Sequence, residues 1–413
     1  MRSIELFAGC GGLGFGTAEA GFEHVLVIEN DSHACATLRF NKKRGVEHFK
    51  DWGVEEKDVR KIDFSAMAGT IDLVSGGPPC QPFSIGGKHK GPTDKRNMWP
   101  ESIRAVRELK PKAFIFENVR GLLRPAFSDY LDFLRLQLAY PSISGGDHWR
   151  VELKKLRKFA AKNLLPEYRV VIQGINAADY GAPQKRHRAI VLGIQSDIAG
   201  EVIFPKPTHS HDALVWSQRV TGDYWKYHGV PLGRRPGMTA SDRQVLKRLK
   251  GREGAPRELP WVTVRDVISG LPKPSKKEEI FNHLLHPGAR SYAGHTGSVL
   301  DEPAKALKAG AHGVPGGENA LVLRGSTVRY FTIREMARLH GLPDDFGIEE
   351  SWMSSIKQLG NAVPVQVGRA FGEAVSAQIK NADRKRRYGD SKKTPNQPVN
   401  FMRAIQTRHV AAI

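Results

Sequence analysis

The stretch ELFAGCGGLGFG, residues 5–16, lies between an apolar run at Ile4–Phe7 and a helical pattern at Leu13–Ala20. A strand that passes through a glycine-rich turn into a helix is the opening unit of an α/β sheet. The rest of the first half repeats the alternation. Strands are expected at Val25–Glu29, Ile71–Ser75, Phe114–Glu117, Val170–Gly174 and Ala189–Ile194, and helices at Ser32–Asn41, Trp99–Leu109 and Tyr130–Ala139. That order predicts a parallel, doubly wound sheet. WRVELKKLRKFAAKN adds a basic amphipathic helix, read as a solvated face.

From about Lys206 the texture changes. GRRPGMTASDRQVLKRLKGREGAPRE and HPGARSYAGHTGS are basic and loop-rich, which predicts a second domain of short strands and loops. Helical patterns return at TIREMARLHG and VPVQVGRAFGEAVSAQIK, and DRKRRYGDSKKTPNQPVN has the composition of a disordered tail. The net charge is +20, from 63 Lys and Arg against 43 Asp and Glu. The tail from Lys380 carries nine basic and two acidic residues, which leaves about +13 on the body. A polyanionic partner is the first expectation, nucleic acid being the commonest. Three cysteines, Cys10, Cys35 and Cys80, argue against a disulfide framework and for a reducing compartment. No spacing suggests a structural metal. No signal peptide and no run of membrane-spanning length is read from the sequence.

Gly9, Gly11 and Gly14 fit GxGxxG, which lets the backbone approach a ligand with a helix N-terminus behind it. Glu29 ends the second strand twenty residues after Gly9, where a carboxylate can accept both hydroxyls of a ribose. A nucleoside cofactor follows. NAD, FAD and S-adenosylmethionine all carry adenosine and can all use this geometry. Asp63, in KIDF, either bonds an adenine amino group or caps a turn.

SGGPPCQPFSIGG, residues 75–87, places Cys80 just past the end of a strand. Flanking prolines aim the side chain, and Gly76, Gly77, Gly86 and Gly87 allow a hinge. Such a thiol suits a nucleophile, against the plain alternative of an inert buried cysteine. Glu117 ends the fourth strand in FIFENVRG and faces the same crevice. QKRHR puts Arg186 and Arg188 on one side of an extended segment. A thiolate, a carboxyl, a guanidinium and an adenosine cofactor together suit one reaction. Cytosine C5 becomes nucleophilic when a thiolate adds at C6. A carboxylic acid at N3 and a guanidinium at O2 stabilise the charge that develops. In duplex DNA the base must first be flipped out.

FAGCGGLGFG, GGPPCQPFS, FENV, QKRHR, TIREMARLHGLPDDF and QLGNAVPVQVG, in this order, make the chain resemble the DNA (cytosine-5)-methyltransferase family. The resemblance covers most of the chain. It implies a Rossmann-like S-adenosylmethionine-dependent sheet with a smaller, loop-rich target-recognition domain. By resemblance Cys80 is the nucleophile, Glu117 the residue at N3 and Arg188 the arginine on O2. Arg186 matches its structural or phosphate-binding neighbour. Phe7 stacks on adenine, Glu29 binds the ribose, and Asp63 and Phe64 contact adenine. Gly9, Gly11, Gly12, Asn30, Pro79 and Asn361 complete the cofactor site. Gln81, Ser84 and Arg96 belong to a mobile loop that closes on DNA. Ala306 stands where many members carry threonine, and residues 141–166 are longer than in compact members. Cys10 is read as filling a variable position of the glycine loop, and Cys35 as core.

The expected division is residues 1–195 catalytic, 196–355 target recognition, 356–380 returning to the catalytic domain and 381–413 basic tail. The resemblance implies a bacterial, cytoplasmic monomer acting on double-stranded DNA and paired functionally with a restriction endonuclease. An arginine-rich insert suggests a GC-containing palindrome, GCCGGC by length and overall look. An RNA methyltransferase of the same fold, an NAD-dependent oxidoreductase and an inactive DNA-binding protein are the competing readings. The long insert favours DNA. Pro-Pro-Cys-Gln and Glu-Asn-Val disfavour the oxidoreductase, and intact Cys80, Glu117 and Arg188 disfavour the inactive protein.

Overall fold

Successive strand residues face opposite sides of a sheet. In β1 (Arg2–Leu6), Ile4 and Leu6 join the core on one face, and Ser3 and Glu5 are buried on the other. Both faces of the sheet are therefore covered. The computed structural model describes residues 1–79, 96–143, 148–251, 254–292, 296–310, 317–323 and 327–388. After β1 come α1 (Gly12–Glu19), β2 (Glu23–Glu29), α2 (Ser32–Lys43), β3 (Val54–Glu56), β4 (Leu73–Gly76), α3 (Trp99–Leu109) and β5 (Ala113–Val119). They are followed by α4 (Ser128–Ala139), α5 (Trp149–Ala160), β6 (Tyr168–Asn176), β7 (Gln184–Lys185) and β8 (His187–Gln195).

The seven-stranded sheet has the order β3-β2-β1-β4-β5-β8-β6. Its strands are parallel except β8, which is antiparallel to β5 and β6. The expected all-parallel sheet fails there for a topological reason. β6 returns to β8 through the short stretch 177–186, which holds a single 3-10 turn, Gly181 at φ +86° and β7 but no crossover helix, which a parallel return requires. β3 was not expected from the sequence. It is three residues long and two of them are acidic, so it carries no apolar run.

α3 and α4 cover one face, where Val106, Leu109 and Leu134 pack on Ile4, Val74, Phe114 and Phe116. α1 and α12 (Val365–Tyr388) cover the other, where Val367, Phe371 and Val375 pack with Leu13, Ile115 and Leu192. Each such fully buried side chain contributes roughly 1.5–3 kcal/mol. α1 and α12 meet backbone to backbone. A Cβ on Gly16 would lie 2.2 Å from Val365 O, and one on Gly368 2.6 Å from Leu13 O. α12 runs to Tyr388, so residues 381–388, read as the start of a disordered tail, are helical.

The second region holds more helix than the expected strands and loops. Its elements are β9 (His209–Ser210), α6 (His211–Val215), α7 (Asp223–Tyr227), α8 (Ala240–Leu249), β10 (Leu259–Pro260) and α9 (Val264–Ile268). β11 (Ala304–Lys305), β12 (Ala320–Val322), β13 (Val328–Tyr330), α10 (Ile333–Leu339) and α11 (Trp352–Asn361) follow. α8 starts at a capping box, with Thr239 Oγ1 accepting from Asp242 N–H at 3.0 Å and Asp242 Oδ2 accepting from Thr239 N–H at 3.1 Å. Val245 and Leu249 of α8 form a small core with Val215. Val264, Ala304, Leu321, Phe331 and Met336 share a larger core with Cys10, Phe15 and Val27, directly beneath the glycine loop.

Candidate active site

Three strand ends build the first half of the site. β1 ends at Leu6, and the next residue, Phe7, has a φ of +55°, which is rare for a side chain of that size and turns the chain sharply. Gly9 also has φ +55°, and a Cβ added there meets nothing within 4 Å. Gly11, at φ +91°, is different, because a Cβ there would lie 2.7 Å from the Phe49 ring. Gly9 therefore shapes the open side of the loop, and Gly11 lets it pack on the core. A Cβ on Gly12 would come within 2.2 Å of Val363 O, so this glycine seats the loop against the segment before α12.

Glu29 ends β2 with a carboxylate fixed by three backbone donors. Its Oε2 accepts from Gly9 N–H at 2.8 Å, and its Oε1 accepts from Asn30 and Asp31 N–H, both at 2.8 Å. A carboxylate offers about four acceptor sites. The open one is on Oε2, so this arrangement can take one ribose hydroxyl at full strength rather than both. A cleft of about 310 Å³ lies beside it, lined by Phe7, Glu29, Asn30 and Pro79 from the expected set. Arg96, expected on the DNA-facing loop, lines the cleft as well.

Asp63 and Phe64 do not line this cleft. Phe64 is fully buried beneath the Arg104 guanidinium at 5.1 Å, and Asp63 Oδ1 accepts from Ser65 N–H at 2.9 Å as a turn cap. Their place is taken by Lys57, Asp58, Val59 and Arg60, which follow directly from β3. Asp58 Oδ1 accepts from Arg60 N–H at 3.0 Å, and the Arg60 side chain holds its carboxyl down at about 2. Asp63, the aspartate expected at the adenine, thus stands outside the cleft, and Asp58 lines it.

The other half of the site lies where β4 and β5 end. Glu117 is 8% exposed and ion-paired through Oε1 with Arg188 Nε, which β8 brings opposite Val119. Glu117 Oε2 lies 3.5 Å from where a Cβ on Gly77 would stand, so the carboxyl borders the turn that leads to Cys80. Asn118, fully buried, donates from Nδ2 to Pro78 O at 3.1 Å and ties that turn to β5. This tether was within the FENV motif, but no role had been read for it. Cys80, Gln81 and Ser84 lie outside the described residues.

Arg186, the neighbour of Arg188 in QKRHR, is buried. It is 1% exposed and donates to Leu307 O at 3.0 Å and Gly360 O at 2.9 Å, which makes it a clamp between the sheet and the chain around β11 and α11. Asn361 lies in a separate hollow of about 450 Å³ with His33, Gly310 and Lys357. Lys357 Nζ donates to Asp31 Oδ2 at 2.7 Å, so α11 grips the loop that follows Glu29. Cys10 and Cys35 are buried, and burial pushes both thiols up to about 12, which leaves them inert.

The arrangement can hold a nucleoside over the glycine loop and set a carboxylate–guanidinium pair beside the turn that carries Cys80. Comparison with known proteins identifies the same chemistry. Residues 1–377 match the family described as C-5 cytosine-specific DNA methylase. The Type II methyltransferase M.PspPI of Psychrobacter sp. strain TA137 is 32% identical over 374 residues, covering 90% of this chain and 78% of that protein. M.NgoMIV of Neisseria gonorrhoeae, also a Type II methyltransferase, is 29% identical over 382 residues, covering 92% and 98%. The S. pombe Dnmt2 methyltransferase crystal structure superposes with a TM-score of 0.52 at 17% identity, over 92% of this chain and 99% of that one.

Proposed function

The chain belongs to the C-5 cytosine-specific DNA methylase family, and from that premise we propose which of its residues carry out the reaction. The enzyme transfers a methyl group from S-adenosyl-L-methionine to C5 of cytosine in double-stranded DNA. The observation that carries the assignment of roles is the Glu117–Arg188 pair, set against the turn that Asn118 ties down and next to the cleft over the glycine loop.

The cleft fits the methyl donor. Open space over Gly9, one free acceptor site on Glu29 and the Phe7 ring at the wall suit an adenosine. Glu29 takes a ribose hydroxyl, Phe7 covers the adenine, and the Asp58 carboxylate accepts from its amino group once the Arg60 guanidinium turns aside. Pro79 bounds the cleft on the side of the Cys80 turn, and Asn361 acts from the neighbouring hollow. When bound, S-adenosylmethionine supplies an electrophilic methyl group on a sulfonium. The protein supplies everything else. Cys80, as thiolate, adds to C6 of the flipped cytosine, and the electron pair of the C5–C6 double bond moves into the ring. Glu117 holds the proton at N3, and Arg188, turning from Glu117, hydrogen-bonds O2 where negative charge develops. After C5 is methylated, the C5 proton leaves to a water molecule and the thiolate is expelled, which restores the ring. Arg186 shapes the floor without touching the base.

Residues 196–355 act as the target-recognition region and residues 356–380 close the catalytic domain from behind. The target is a GC-containing palindrome, with GCCGGC as the specific candidate. The enzyme works as a bacterial cytoplasmic monomer that protects DNA from a cognate endonuclease without binding it stably.

Two measurements test these assignments. Asp58→Ala is expected to raise the KM for S-adenosylmethionine by about tenfold or more, the effect of losing a hydrogen bond to a charged group, and Asp63→Ala to change it by less than about twofold. The reverse order would restore Asp63 as the adenine ligand. Labelled methyl groups should pass to random-sequence duplex DNA and appear as 5-methylcytosine. Transfer to tRNA in preference to duplex DNA would contradict the target assignment.

A further inference from the structure

β1 and β4 run side by side in register, Glu5 opposite Ser75 and Leu6 opposite Gly76. Beyond that line they part. β1 enters the glycine loop, and β4 enters Gly77-Pro78-Pro79-Cys80. The side chains of one of these last register pairs are joined, because Ser75 Oγ donates to Glu5 Oε2. Glu5 is 1% exposed and Ser75 fully buried.

A carboxyl in that position is costly as an ion. Burial pushes it up to about 8, so Glu5 is a neutral acid at pH 7. Its surroundings offer no counter-charge. On α1 the facing position is Gly14, where a Cβ would lie 3.5 Å from Glu5 Cγ, 3.5 Å from His24 Nε2 and 3.0 Å from the Trp52 ring. His24, on β2, is held neutral by burial, which lowers it to about 4. Its Nδ1 shares a hydrogen bond with Ser3 Oγ at 3.0 Å, and its Nε2 lies 3.0 Å from Thr17 Oγ1 and 2.9 Å from Gly14 O. Among the described residues no ion pair reaches Glu5. An apolar side chain would fill the same space without a desolvation penalty, so packing alone does not explain the acid.

We propose that Glu5 is a positioning residue which, through Ser75, fixes the departure of the cofactor loop from β1 relative to the departure of the Cys80 turn from β4. This rests on the reading of Cys80 as nucleophile. The turn is then held from both sides, by Glu5 through Ser75 and by Asn118 through Pro78 O. Losing one tether loosens the turn rather than unfolding it, and a displacement of about 1 Å at a reacting centre can cost up to about 10²-fold in rate. Ionisation acts in the same direction, since a charged Glu5 with one donor draws water between the strand ends. The folded-state value lies above the ordinary 4.5, so the stabilisation is complete below about pH 4.5 and is lost as pH rises through about 8.

The test compares full-length wild type, Ser75→Ala and Glu5→Gln. The readouts are kcat at saturating DNA and cofactor, cofactor Kd, melting temperature, and the rate of covalent trapping on duplexes carrying 5-fluorocytosine, from about pH 6 to about pH 9.5. Ser75→Ala is expected to lose about tenfold in kcat and trapping rate while cofactor Kd stays within about twofold. Glu5→Gln, whose amide oxygen still accepts from Ser75, is expected to keep kcat at pH 7 within about twofold and to lose the wild-type decline near pH 8. A folded Ser75→Ala with wild-type kcat and trapping, or a Glu5→Gln with the wild-type alkaline decline, would overturn the proposal. If wild type itself gives no adduct, the nucleophile reading fails first and this proposal falls with it.

Discussion

Replacing Cys80 by alanine is expected to lower methyl transfer by about 10⁴-fold or more, with cofactor and duplex binding retained. Without attack at C6, cytosine C5 stays part of an electron-poor aromatic ring and is a weak nucleophile. No other group can substitute for the thiolate. Cys10 and Cys35 are buried with their thiols held near 12, and neither lies on the turn after β4. Removing a covalent nucleophile typically costs this much because the remaining groups act only in concert with it. The check is single-turnover transfer of labelled methyl to duplex DNA, run with cofactor binding measured in parallel. A variant that keeps more than about a tenth of the activity would mean that the reaction does not pass through Cys80.

The second large effect concerns the Glu117–Arg188 pair. Glu117→Gln keeps the shape and can still donate to N3 but cannot deliver a proton, and a loss of about 10²–10³-fold in kcat is expected. Arg188→Ala removes the donor for O2 and also leaves the Glu117 carboxylate buried without its counter-ion. Its kcat should fall by a similar factor. The double variant should lose much less than the product of the two, because the groups act on one developing charge. Strict multiplication of the two effects would show that they work independently and would contradict the shared role. Arg186→Ala is different in kind. It breaks bonds to Leu307 O and Gly360 O and acts through the fold.

Several features of this site are legible in the sequence, and the others are hidden for identifiable reasons. All six strands and five helices read from the first half are present, because buried apolar runs and amphipathic helices leave strong periodic traces. Glu29 ends β2 as read, whereas Glu117 was read as ending a strand that continues through Asn118 to Val119. Strand direction leaves no such trace, so β8 was assigned the wrong way round. β3 is short and acidic, so the cleft wall that follows it, Lys57 to Arg60, left no trace in the sequence. Arg186 and Arg188 look equivalent two residues apart. The family resemblance separates them in the sequence, and the structure shows Arg186 held by Leu307 O and Gly360 O. Glu5 was hidden within an apolar run, since its partner Ser75 lies seventy residues away and only the sheet brings them together.

The measurement that bears most directly on the account is covalent trapping. Wild type and Cys80→Ala are incubated with S-adenosylmethionine and random-sequence duplexes carrying 5-fluorocytosine, then resolved on a denaturing gel, and the trapped DNA is sequenced. Fluorine at C5 blocks the final elimination, so the account predicts a stable protein–DNA adduct from wild type alone, at one recurring sequence. A preparation that methylates ordinary duplex DNA yet forms no adduct, or one in which Cys80→Ala is trapped as well as wild type, would contradict it.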